Sequence, residues 1–543
     1  MEAATPTADV VVVGGGLAGI CAAIAAAEKG ASVVVLDRAY GGGASAISGG
    51  IVYAGGGTRH QREAGYGDVD SPDNMFRYLR EEVGDAADEA TVRRFCDESV
   101  ARMEWLESYG VLFGGPLCPF KTSYPKPEYG LFFSGNEKSH PYASLATPAP
   151  RGHRTNGKGS GGLGYTGRNL WQPLFDSALK LGVKFEPASR VEALITHDSQ
   201  VKGVRYRSLN KSAGRWSTFL YRWFSATAKE YEQGFRPMAR VLESVADRIW
   251  RRGAKQKTLE SRAVILAAGG FIMNKSMIRE LCPNAVGLAT LGTAGDDGSG
   301  IQLGQSVGAA VSHTDRVSAW RFIYAPQAFL EGVIVSPSGE RIAAEDKYGA
   351  TICGSMITHA GGKGYLILDS AQWNKVKDTL TDQTHGLWKT LVRYLIHFGH
   401  KKAETLKDLA RSFDIAPGTM YETIKAYNDA ITNKQPDPER KLDYRSPIVA
   451  APFYGIDISV KDSGILLVPA ITLGGLRVDG ASGVVLKEAN GDGETIPGLY
   501  AAGRNAVGIC SNNYVTGLSL ADCVFSGKRA GENAGLYSSG SSP

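Results

Sequence analysis

Cysteine and long apolar runs are both scarce in this chain of 543 residues. The seven cysteines are odd in number and scattered, no Cys-x-x-Cys pair occurs, and no Cys/His spacing suits zinc. The sequence therefore predicts a reduced compartment and no metal site. No segment reaches the roughly 18 consecutive apolar residues that span a bilayer. The first residues lack the basic start of a signal peptide, so we expect a cytoplasmic protein.

Glycine, in contrast, is abundant, with 68 residues that cluster beside apolar runs rather than forming a linker. Clustered glycine of this kind indicates tight turns and close approach of the backbone to a ligand. The clusters are triplets at 14–16, 41–43 and 55–57 and pairs at 161–162, 269–270 and 474–475. The length predicts two to four domains, or one large domain with a second one inserted.

The first glycine triplet belongs to a motif with a clear physical interpretation, DVVVVGGGLAGICAAIAAAEKGASVVVLDR at 9–38. A strand runs into G-x-G-x-x-G, formed by Gly14, Gly16 and Gly19, and an alanine-rich helix and a second strand follow. The glycines allow a tight turn, approach of a pyrophosphate and close packing of helix on strand. Asp37 ends the second strand, where it can accept hydrogen bonds from a ribose. We predict a Rossmann-type dinucleotide site; the alternative is a Gly-rich turn in an unrelated α/β domain.

Three later stretches favour FAD over NAD as the dinucleotide. A second Gly/Ser-rich loop at 41–58 follows the second strand directly, and a deeply bound flavin has a use for such a loop. The stretches RAVILAAGGF at 262–271 and IPGLYAAGRNAVGI at 496–509 are short strands that end in Ala-Ala-Gly. These two strands are over 200 residues apart, yet both suit closure over the same dinucleotide.

On these motifs the chain resembles the flavoprotein family of soluble fumarate reductases, succinate dehydrogenase flavoprotein subunits and 3-ketosteroid dehydrogenases, except at 208–258. The resemblance implies that ten residues lie near FAD: Gly14, Gly16, Gly19, Asp37, Ser45, Gly49, Gly50, Ala268, Gly503 and Leu520. Succinate dehydrogenase subunits bond their flavin covalently through a histidine in the loop after the second strand. The matching stretch here, 41–50, has no histidine, so we expect non-covalent FAD.

The order of these stretches predicts an FAD-binding domain that is split along the chain. We assign its first part to residues 1–283 and its second part to residues 445–543. Residues 284–444, which have strand and helix patterns of their own, are predicted to form an inserted α+β cap domain. Substrate would bind between the cap and the flavin, because clefts between domains favour ligands.

The stretch CSNNYVTGLSLADCVFSGKRAG at 510–531 carries the strongest indication of chemistry. From Gly517 onward it predicts a helix whose N-terminus can stabilise the negative charge of reduced flavin. Resemblance to the steroid Δ4-dehydrogenases implies that Tyr514 is catalytic and that Thr516, where those enzymes have serine, relays its proton. Tyr348 matches their cap-domain tyrosine. The Pro-Gly-x-Gly run that follows the tyrosine in the Δ1-dehydrogenases is absent.

The expected reaction is desaturation of a 3-ketosteroid, in which flavin N5 takes a hydride from C5 and a proton leaves C4. Tyr514 takes the proton, Tyr348 assists and Thr516 passes it on. A tyrosine, whose unperturbed pKa is about 10, needs such a relay or an eased ionisation to act as a base. Reoxidation requires an external electron acceptor. The candidate pocket residues, for which plain packing is the alternative, are Tyr53, Trp320 and Tyr324.

Three alternative functions stay open. The first is a Δ1-dehydrogenase. The second is an ene-reductase of the fumarate reductase type, which needs arginine and histidine side chains such as Arg151, His153 and Arg154. We prefer to interpret Arg151 as a structural residue that holds a carbonyl or carboxylate of the scaffold. The third is a non-catalytic, flavin-bearing, membrane-binding protein in which Tyr348 and Tyr514 are packing residues.

Positive charge is concentrated in one segment. Residues 211–257 hold 11 Lys+Arg and 4 Asp+Glu, a net charge of +7, which leaves −2 for the rest of a chain whose total is +5. At helical spacing, one face of 216–224 is aromatic and apolar, 238–249 repeats the pattern, and arginines surround both faces. Such helices are typical of a membrane interface, so we expect 208–258 to dock on a membrane surface. Oligomerisation or core packing are the alternatives, and nucleic-acid binding fits poorly.

Overall fold

The computed structural model describes residues 7–159, 164–209, 214–232, 236–320, 325–460, 468–488 and 493–540. The strands in these ranges are β1 Thr7–Val13, β2 Val33–Leu36, β3 Ile51–Tyr53, β4 Leu131–Phe132, β5 Gly152–Arg154, β6 Lys184–Glu186, β7 Ser189–His197, β8 Gln200–Ser208, β9 Lys255–Leu266, β10 Ala289–Thr290, β11 Val311–Ser312, β12 Val317–Ala319, β13 Val333–Val335, β14 Tyr365–Leu368, β15 Lys401–Ala403, β16 Phe453–Asp457, β17 Pro469–Thr472, β18 Gly475–Leu476, β19 Val484–Leu486 and β20 Thr495–Ala501. The α-helices are α1 Leu17–Glu28, α2 Gly43–Ala46, α3 Arg59–Glu63, α4 Pro72–Val83, α5 Glu89–Asp97, α6 Ser99–Ser108, α7 Tyr142–Leu145, α8 Gly167–Lys180, α9 Arg215–Tyr231, α10 Arg236–Gly253, α11 Lys275–Leu281, α12 Ser299–Gln305, α13 Gly349–Ala360, α14 Ser370–Gln383, α15 Gly386–His397, α16 Leu406–Ser412, α17 Pro417–Thr432 and α18 Leu518–Ser538.

The largest sheet is mostly parallel and has the strand order β19-β20-β9-β1-β2-β6. β1 lies between β2 and β9 and pairs in parallel with both, so that Val10 is opposite Val33 and Ala263. The four consecutive valines of β1 are buried, as expected for a parallel strand that is covered on both faces. β6 and β20 extend the sheet in parallel, and β19 is an antiparallel edge strand.

The carboxyl ends of β1, β2, β9 and β20 therefore meet at one edge of this sheet. Gly14 follows β1, Asp37 follows β2, Ala267 follows β9 and Ala502 follows β20. Ligands of open α/β sheets bind at this edge. The edge thus brings together stretches from the two ends of the chain, as the sequence predicts for a split dinucleotide-binding domain.

Helices α1 and α18 pack against each other and against the same sheet. Their close contact depends on glycine, because a Cβ at Gly527 would lie 2.4 Å from the Ala18 carbonyl oxygen. A Cβ at Gly531 would lie 2.2 Å from the carbonyl oxygen of Ala22. The two helices predicted at 18–29 and from Gly517 onward are both confirmed.

The helices α9 and α10 connect β8 to β9. Residues 255–260 of β9 pair antiparallel with β8, and 255–259 extend past the start of β1. The two helices are therefore inserted between two strands that extend the main sheet. Both helices predicted within 208–258 are confirmed, and Pro237 lies at the second position of α10. The sequence predicts a break between the two helices at Gly234 and Pro237, and Gly234 lies outside the described residues.

A second, antiparallel sheet has the order β13-β14-β16-β15 and shares an apolar core with α16 and α17. It contains the strands predicted around 332–342 and 364–369. Its strand β16 follows residue 444, so this sheet draws on chain beyond the predicted cap. The domain boundaries at 283 and 444 stay a prediction. The smaller sheets are β3-β5-β4, β10-β17-β12 and β11-β18.

All seven cysteines are buried thiols outside any disulfide. In the part of the chain that the structure describes, no group of three or more His, Cys, Asp or Glu side chains could hold a metal ion. Nor does any helix there have the length and apolar character required to cross a membrane.

Candidate active site

The turn between β1 and α1 has room for backbone only. Gly14 has φ +106°, and a Cβ there would lie 2.5 Å from the carbonyl oxygen of Ala267. A Cβ at Gly19 would lie 1.9 Å from the carbonyl oxygen of Gly14. Gly16 is the residue before α1, so the N–H groups of the first helical turn follow it directly. Such a turn and helix start can bind an anion, as the sequence predicts for a pyrophosphate.

Asp37 joins the two glycine-rich loops at the end of β2. One carboxylate oxygen accepts a hydrogen bond from Gly15 N at 2.8 Å. The other accepts from Ala39 N at 2.8 Å and from Gly41 N at 3.0 Å. The carboxylate therefore organises the backbone around the predicted ribose site.

A cavity of about 780 Å³ lies at this edge of the sheet. Of the residues predicted to lie near FAD, those that line it are Gly14, Gly16, Asp37, Ser45, Ala268 and Gly503. Gly19 instead packs inside the turn, and Gly49 and Gly50 lie in the loop before β3. Leu520 lies in the first turn of α18 and is half-buried. The ten residues thus divide between the cavity and the structure next to it.

Within the part of the chain that the structure describes, several buried polar atoms around this cavity have no hydrogen-bond partner. They belong to the side chains of Arg190, Glu232 and Arg504. Buried polar atoms in native proteins are normally paired, so these groups indicate a polar ligand. A glycine loop, a helix N-terminus, a carboxylate after β2 and these polar atoms together fit the phosphates and ribose hydroxyls of a dinucleotide.

The sequence reasoning missed that α9 and α10 also line the cavity. Ser225 and Lys229 of α9 and Glu232 directly after it lie along the cavity, as do Glu243 and Asp247 of α10. Within each helix these residues recur at spacings of three or four, which places them on one face. In the sequence these polar residues recur at helical spacing, as the apolar residues do. This second pattern could have indicated a second, inward-facing surface.

The opposite faces of α9 and α10 are exposed to solvent. Trp216 is 78% exposed, Phe219 57%, Trp223 51% and Val241 59%. Leu220 and Met238 are exposed as well, and the half-buried members of the two predicted apolar faces are Phe224, Leu242, Val245 and Ile249. The apolar residues of these faces therefore lie partly outside the protein core, although Tyr221, Ala246 and Trp250 pack inward.

The structure brings together four of the predicted substrate-site residues. The hydroxyl oxygens of Tyr348 and Thr516 lie 2.7 Å apart in a hydrogen bond. Trp320 donates its indole N–H to the Tyr348 hydroxyl at 2.8 Å. The ring of Tyr514 lies 4.7 Å from that of Trp320, edge to face, and 6.4 Å from that of Tyr348. Burial raises the pKa of Tyr514 above its ordinary value of 10.

Of the other two predicted pocket residues, Tyr53 lies outside this set of contacts. Tyr53 is fully buried, and its hydroxyl accepts a long hydrogen bond, at 3.4 Å, from Arg151. Its backbone N–H donates to the Gly517 carbonyl at 3.2 Å, so Tyr53 supports the loop before α18. Tyr324 lies outside the described residues.

A buried carboxylate that the sequence reasoning missed connects the loops of both tyrosines. Glu82 of α4 accepts hydrogen bonds from Asn513, next to Tyr514, at 2.6 Å and from Asn136 at 2.8 Å. Asn136 in turn accepts from the backbone N–H of Tyr348 at 2.6 Å. Burial raises the pKa of Glu82 to about 7. No local pattern distinguishes this glutamate from the others of α4, because its partners lie far away in sequence.

Arg151 has the structural role that we preferred for it. Its guanidinium is buried and contacts both oxygens of the buried Asp70, at 2.6 and 3.0 Å. His153 is also buried and lies 2.9 Å from the Thr58 hydroxyl. Burial lowers the pKa of His153 to about 4. These side chains hold the scaffold beside the tyrosine cluster.

Comparisons with known proteins agree with this geometry. A family model described as FAD binding domain matches residues 9–520. The chain is 32% identical over 524 residues to a 3-oxo-5-alpha-steroid 4-dehydrogenase of Comamonas testosteroni, which covers 91% of this chain and 92% of the relative. It is 24% identical over 551 residues to a fumarate reductase (cytochrome) of Shewanella frigidimarina, covering 98% of this chain and 78% of the relative.

Two solved structures share the fold. The 3-ketosteroid-delta4-(5alpha)-dehydrogenase of Rhodococcus jostii RHA1, in complex with 4-androstene-3,17-dione, has a TM-score of 0.81 and 31% identity, with 98% of each chain covered. The 3-ketosteroid delta1-dehydrogenase of Sterolibacterium denitrificans has a TM-score of 0.65 and 17% identity, with 98% of this chain and 100% of that chain covered. The second likeness is one of fold alone.

Proposed function

The chain belongs to the FAD binding domain family, and from this premise we propose that it desaturates the C4–C5 bond of a 3-ketosteroid to a 4-ene-3-one. The observation that carries the proposal is the hydrogen-bonded Tyr348–Thr516 pair beside Tyr514. It stands in a chain whose relative at 32% identity and whose structural neighbour at a TM-score of 0.81 are both steroid 4-dehydrogenases by name.

The site chemistry suits an uncharged ketone better than a dicarboxylate. Trp320, Tyr348, Tyr514 and Thr516 offer aromatic surface and neutral hydroxyl groups. Arg151, the arginine that an ene-reductase of the fumarate reductase type could use, is already engaged with Asp70. A sterol skeleton gains from apolar contact and needs hydrogen bonds only at its oxygen atoms. We therefore prefer dehydrogenation of a steroid to reduction of an enoate.

In the proposed reaction a hydride leaves C5 and a proton leaves C4, and a C4–C5 double bond forms. FAD, when bound, supplies the acceptor of the hydride, and an external electron acceptor removes the two electrons in turn. Tyr514 takes the C4 proton, Tyr348 assists, and the Thr516 hydroxyl passes the proton on. Hydrogen bonds to the 3-keto oxygen would stabilise the developing enolate.

We also propose that the substrate binds at the junction of the predicted cap with the FAD-binding part. Trp320 and Tyr348 come from residues 284–444, whereas Tyr514 and Thr516 come from residues 445–543. Their contacts make a site that neither stretch could form alone. Sites between domains of this kind are common for small ligands.

Product analysis tests the proposed function. The purified yellow protein would be tested in three separate incubations. The first two contain an artificial electron acceptor with either a 3-keto-5α-steroid or a 4-ene-3-one. The third contains a reduced dye and fumarate. We expect the 5α-steroid to give the 4-ene-3-one, identified by mass and retention time. Formation of a 1,4-diene from the 4-ene-3-one alone, or reduction of fumarate alone, would favour one of the two alternative activities instead.

For the exposed faces of α9 and α10 we propose docking on an anionic bilayer. Trp216, Phe219 and Trp223 are the amphipathic and aromatic residues that favour the membrane interface. Arg222 and Arg248, which are exposed on the same two helices, supply charge complementarity to anionic lipids. An enzyme that docks in this way could draw a poorly soluble steroid from the lipid.

Sedimentation with vesicles tests the docking. Wild-type protein should sediment with phosphatidylcholine vesicles that contain phosphatidylserine, and less with phosphatidylcholine alone. Replacing both tryptophans, Trp216→Ser with Trp223→Ser, should weaken binding about tenfold or more, because aromatic burial is lost. The control Phe398→Ser, which removes an equally exposed aromatic elsewhere, should leave binding unchanged. Unchanged vesicle binding of the double variant would exclude these faces as the membrane-binding surface in favour of another surface. Conversion of the protein from oligomer to monomer by the two substitutions would indicate that a second copy, and not the membrane, covers these faces.

A further inference from the structure

The helices α9 and α10 have an unusual orientation relative to the protein core. A surface helix ordinarily packs its apolar face on the core and exposes its polar face. Here Ser225, Lys229 and Glu232 line the cofactor cavity, whereas Trp216 and Trp223 are exposed. The inward side thus combines these polar residues with the packed Tyr221 and Trp250, and its polar part calls for a polar ligand between the helices and the sheet edge.

Hydrogen bonds attach the two helices to the loops that bound the cavity. Tyr221 of α9 donates its hydroxyl to the carbonyl oxygen of Arg38. Lys229 of α9 donates to the carbonyl oxygen of Gly41 at 3.0 Å. Trp250 of α10 donates its indole N–H to the carbonyl oxygen of Ala188 at 2.9 Å. The helices therefore lie over the loop after β2.

Lys229 places its ammonium group beside the second glycine-rich loop. A Cβ added to Gly42 would lie 2.8 Å from its ammonium nitrogen, and Gly42 N donates to the Gly15 carbonyl at 2.9 Å. An ammonium group has three N–H donors, and among the described residues Gly41 supplies its one hydrogen-bond acceptor. Glu232, directly after α9, has a buried carboxylate oxygen without a hydrogen-bond partner among the described residues.

We propose that α9 and α10 form a lid over the adenosine diphosphate part of FAD, in which the Lys229 ammonium binds the pyrophosphate. The glycine turn and the N-terminus of α1 supply the other donors that an anion needs at this edge. The lid rests on the FAD assignment and not on the steroid reaction, so either can fail without the other.

The charges around Lys229 leave its ammonium group able to bind an anion. Burial lowers the pKa of Lys229 to about 8; Asp37, after β2, opposes this effect and Arg168 of α8 adds to it. A bound pyrophosphate would raise the pKa again. Binding of FAD near pH 8 should therefore take up protons, and Lys229→Met should abolish most of that uptake.

Release of FAD from diluted holoenzyme, followed by flavin fluorescence at increasing salt, tests the lid. Lys229→Met should raise the Kd for FAD about tenfold or more and make it less dependent on salt, because one charge-assisted contact is lost. Lys229→Arg, which keeps the charge, should restore most of the affinity. The control Arg248→Met, at an exposed position of α10, should leave the Kd unchanged.

Competition separates a phosphate contact from a purely structural link between α9 and the Gly41 loop. Displacement of FAD from holoenzyme by ADP should be weaker in Lys229→Met than in wild type, whereas displacement by adenosine should change little once corrected for the altered Kd of FAD. Equal losses for ADP and adenosine, or an unchanged Kd for FAD in Lys229→Met, would overturn the proposal. Circular dichroism of each variant controls for folding.

Discussion

Tyr514 and Tyr348 carry the same phenol in two different settings. The Tyr348 hydroxyl is bonded to Thr516 and to the Trp320 indole, so its position is fixed from two sides. Tyr514 packs edge to face on Trp320, and burial raises its pKa above 10. This contrast suits the two proposed roles, in which Tyr514 accepts the substrate proton and the Tyr348–Thr516 pair carries the proton away.

The pH dependence of the reductive half-reaction should report on Tyr514. Because its pKa is raised, Tyr514 is a neutral phenol near pH 7, and its ionised fraction rises about tenfold with each pH unit. The rate of flavin reduction at saturating steroid should therefore increase with pH and reach no plateau below the ordinary tyrosine pKa. Rapid-mixing absorbance measures it. In Tyr514→Phe the residual rate should be low and flat, and a wild-type plateau at neutral pH would indicate a different base.

Glu82 should make stability depend on pH. Its folded-state pKa of about 7 lies above the ordinary 4.5, so the native state binds this proton more tightly than the unfolded state. The resulting stabilisation is present at low pH and is lost as pH rises through 7. The melting temperature of Glu82→Gln relative to wild type should accordingly increase between about pH 5 and pH 8. The exposed Glu104→Gln is the control, and a constant difference for both variants would contradict the expectation.

At the scale of elements, the helix contact between α1 and α18 depends on the absence of side chains. Gly531→Ala would place a Cβ 2.2 Å from the Ala22 carbonyl oxygen, and this backbone atom can move only with its helix. We expect a loss of about 1–3 kcal/mol in the free energy of unfolding, measured by denaturant melts of holoenzyme. Gly354→Ala is the matched control, because the space around Gly354 of α13 is open. It should be neutral or stabilising by up to about 1 kcal/mol, and equal effects of the two changes would refute the packing argument.

The elements differ in how far sequence could predict them. β1, α1 and β2 follow from local signals, namely a valine run, three spaced glycines and an alanine-rich helix. For α9 and α10 the spacing predicts two helices and an apolar face. It does not predict that the polar face lies over a cavity, because that depends on contacts of Tyr221 and Lys229 with a loop nearly 200 residues earlier.

The same limit applies to the site as a whole. Tyr348, Tyr514 and Thr516 could be named through a resemblance, and the structure brings them together. Glu82 and the partnership of Arg151 with Asp70 have no local signature, because each contact joins residues far apart in the chain. Tyr53 is the opposite case. The sequence places it among the candidate pocket residues, whereas its hydroxyl accepts a hydrogen bond from the scaffold residue Arg151.

At the scale of the whole molecule, the two ends of the chain and the segment between them meet at one place. The main sheet supplies the dinucleotide edge, the loop before α18 supplies Tyr514 and Thr516, and the predicted cap supplies Tyr348 and Trp320. The α9–α10 pair adds an outward apolar surface next to the cofactor cavity. The proposed steroid dehydrogenase that docks on a membrane surface would account for these parts together.

The most direct test of that function is an anaerobic titration of holoenzyme with a 3-keto-5α-steroid. Flavin absorbance should bleach with the formation of one equivalent of 4-ene-3-one per flavin, and Tyr514→Phe should retain FAD but fail to bleach on the same timescale. A wild-type flavin that stays oxidised with the 5α-steroid, or full activity in Tyr514→Phe, would contradict the proposed reaction or the role of Tyr514 respectively.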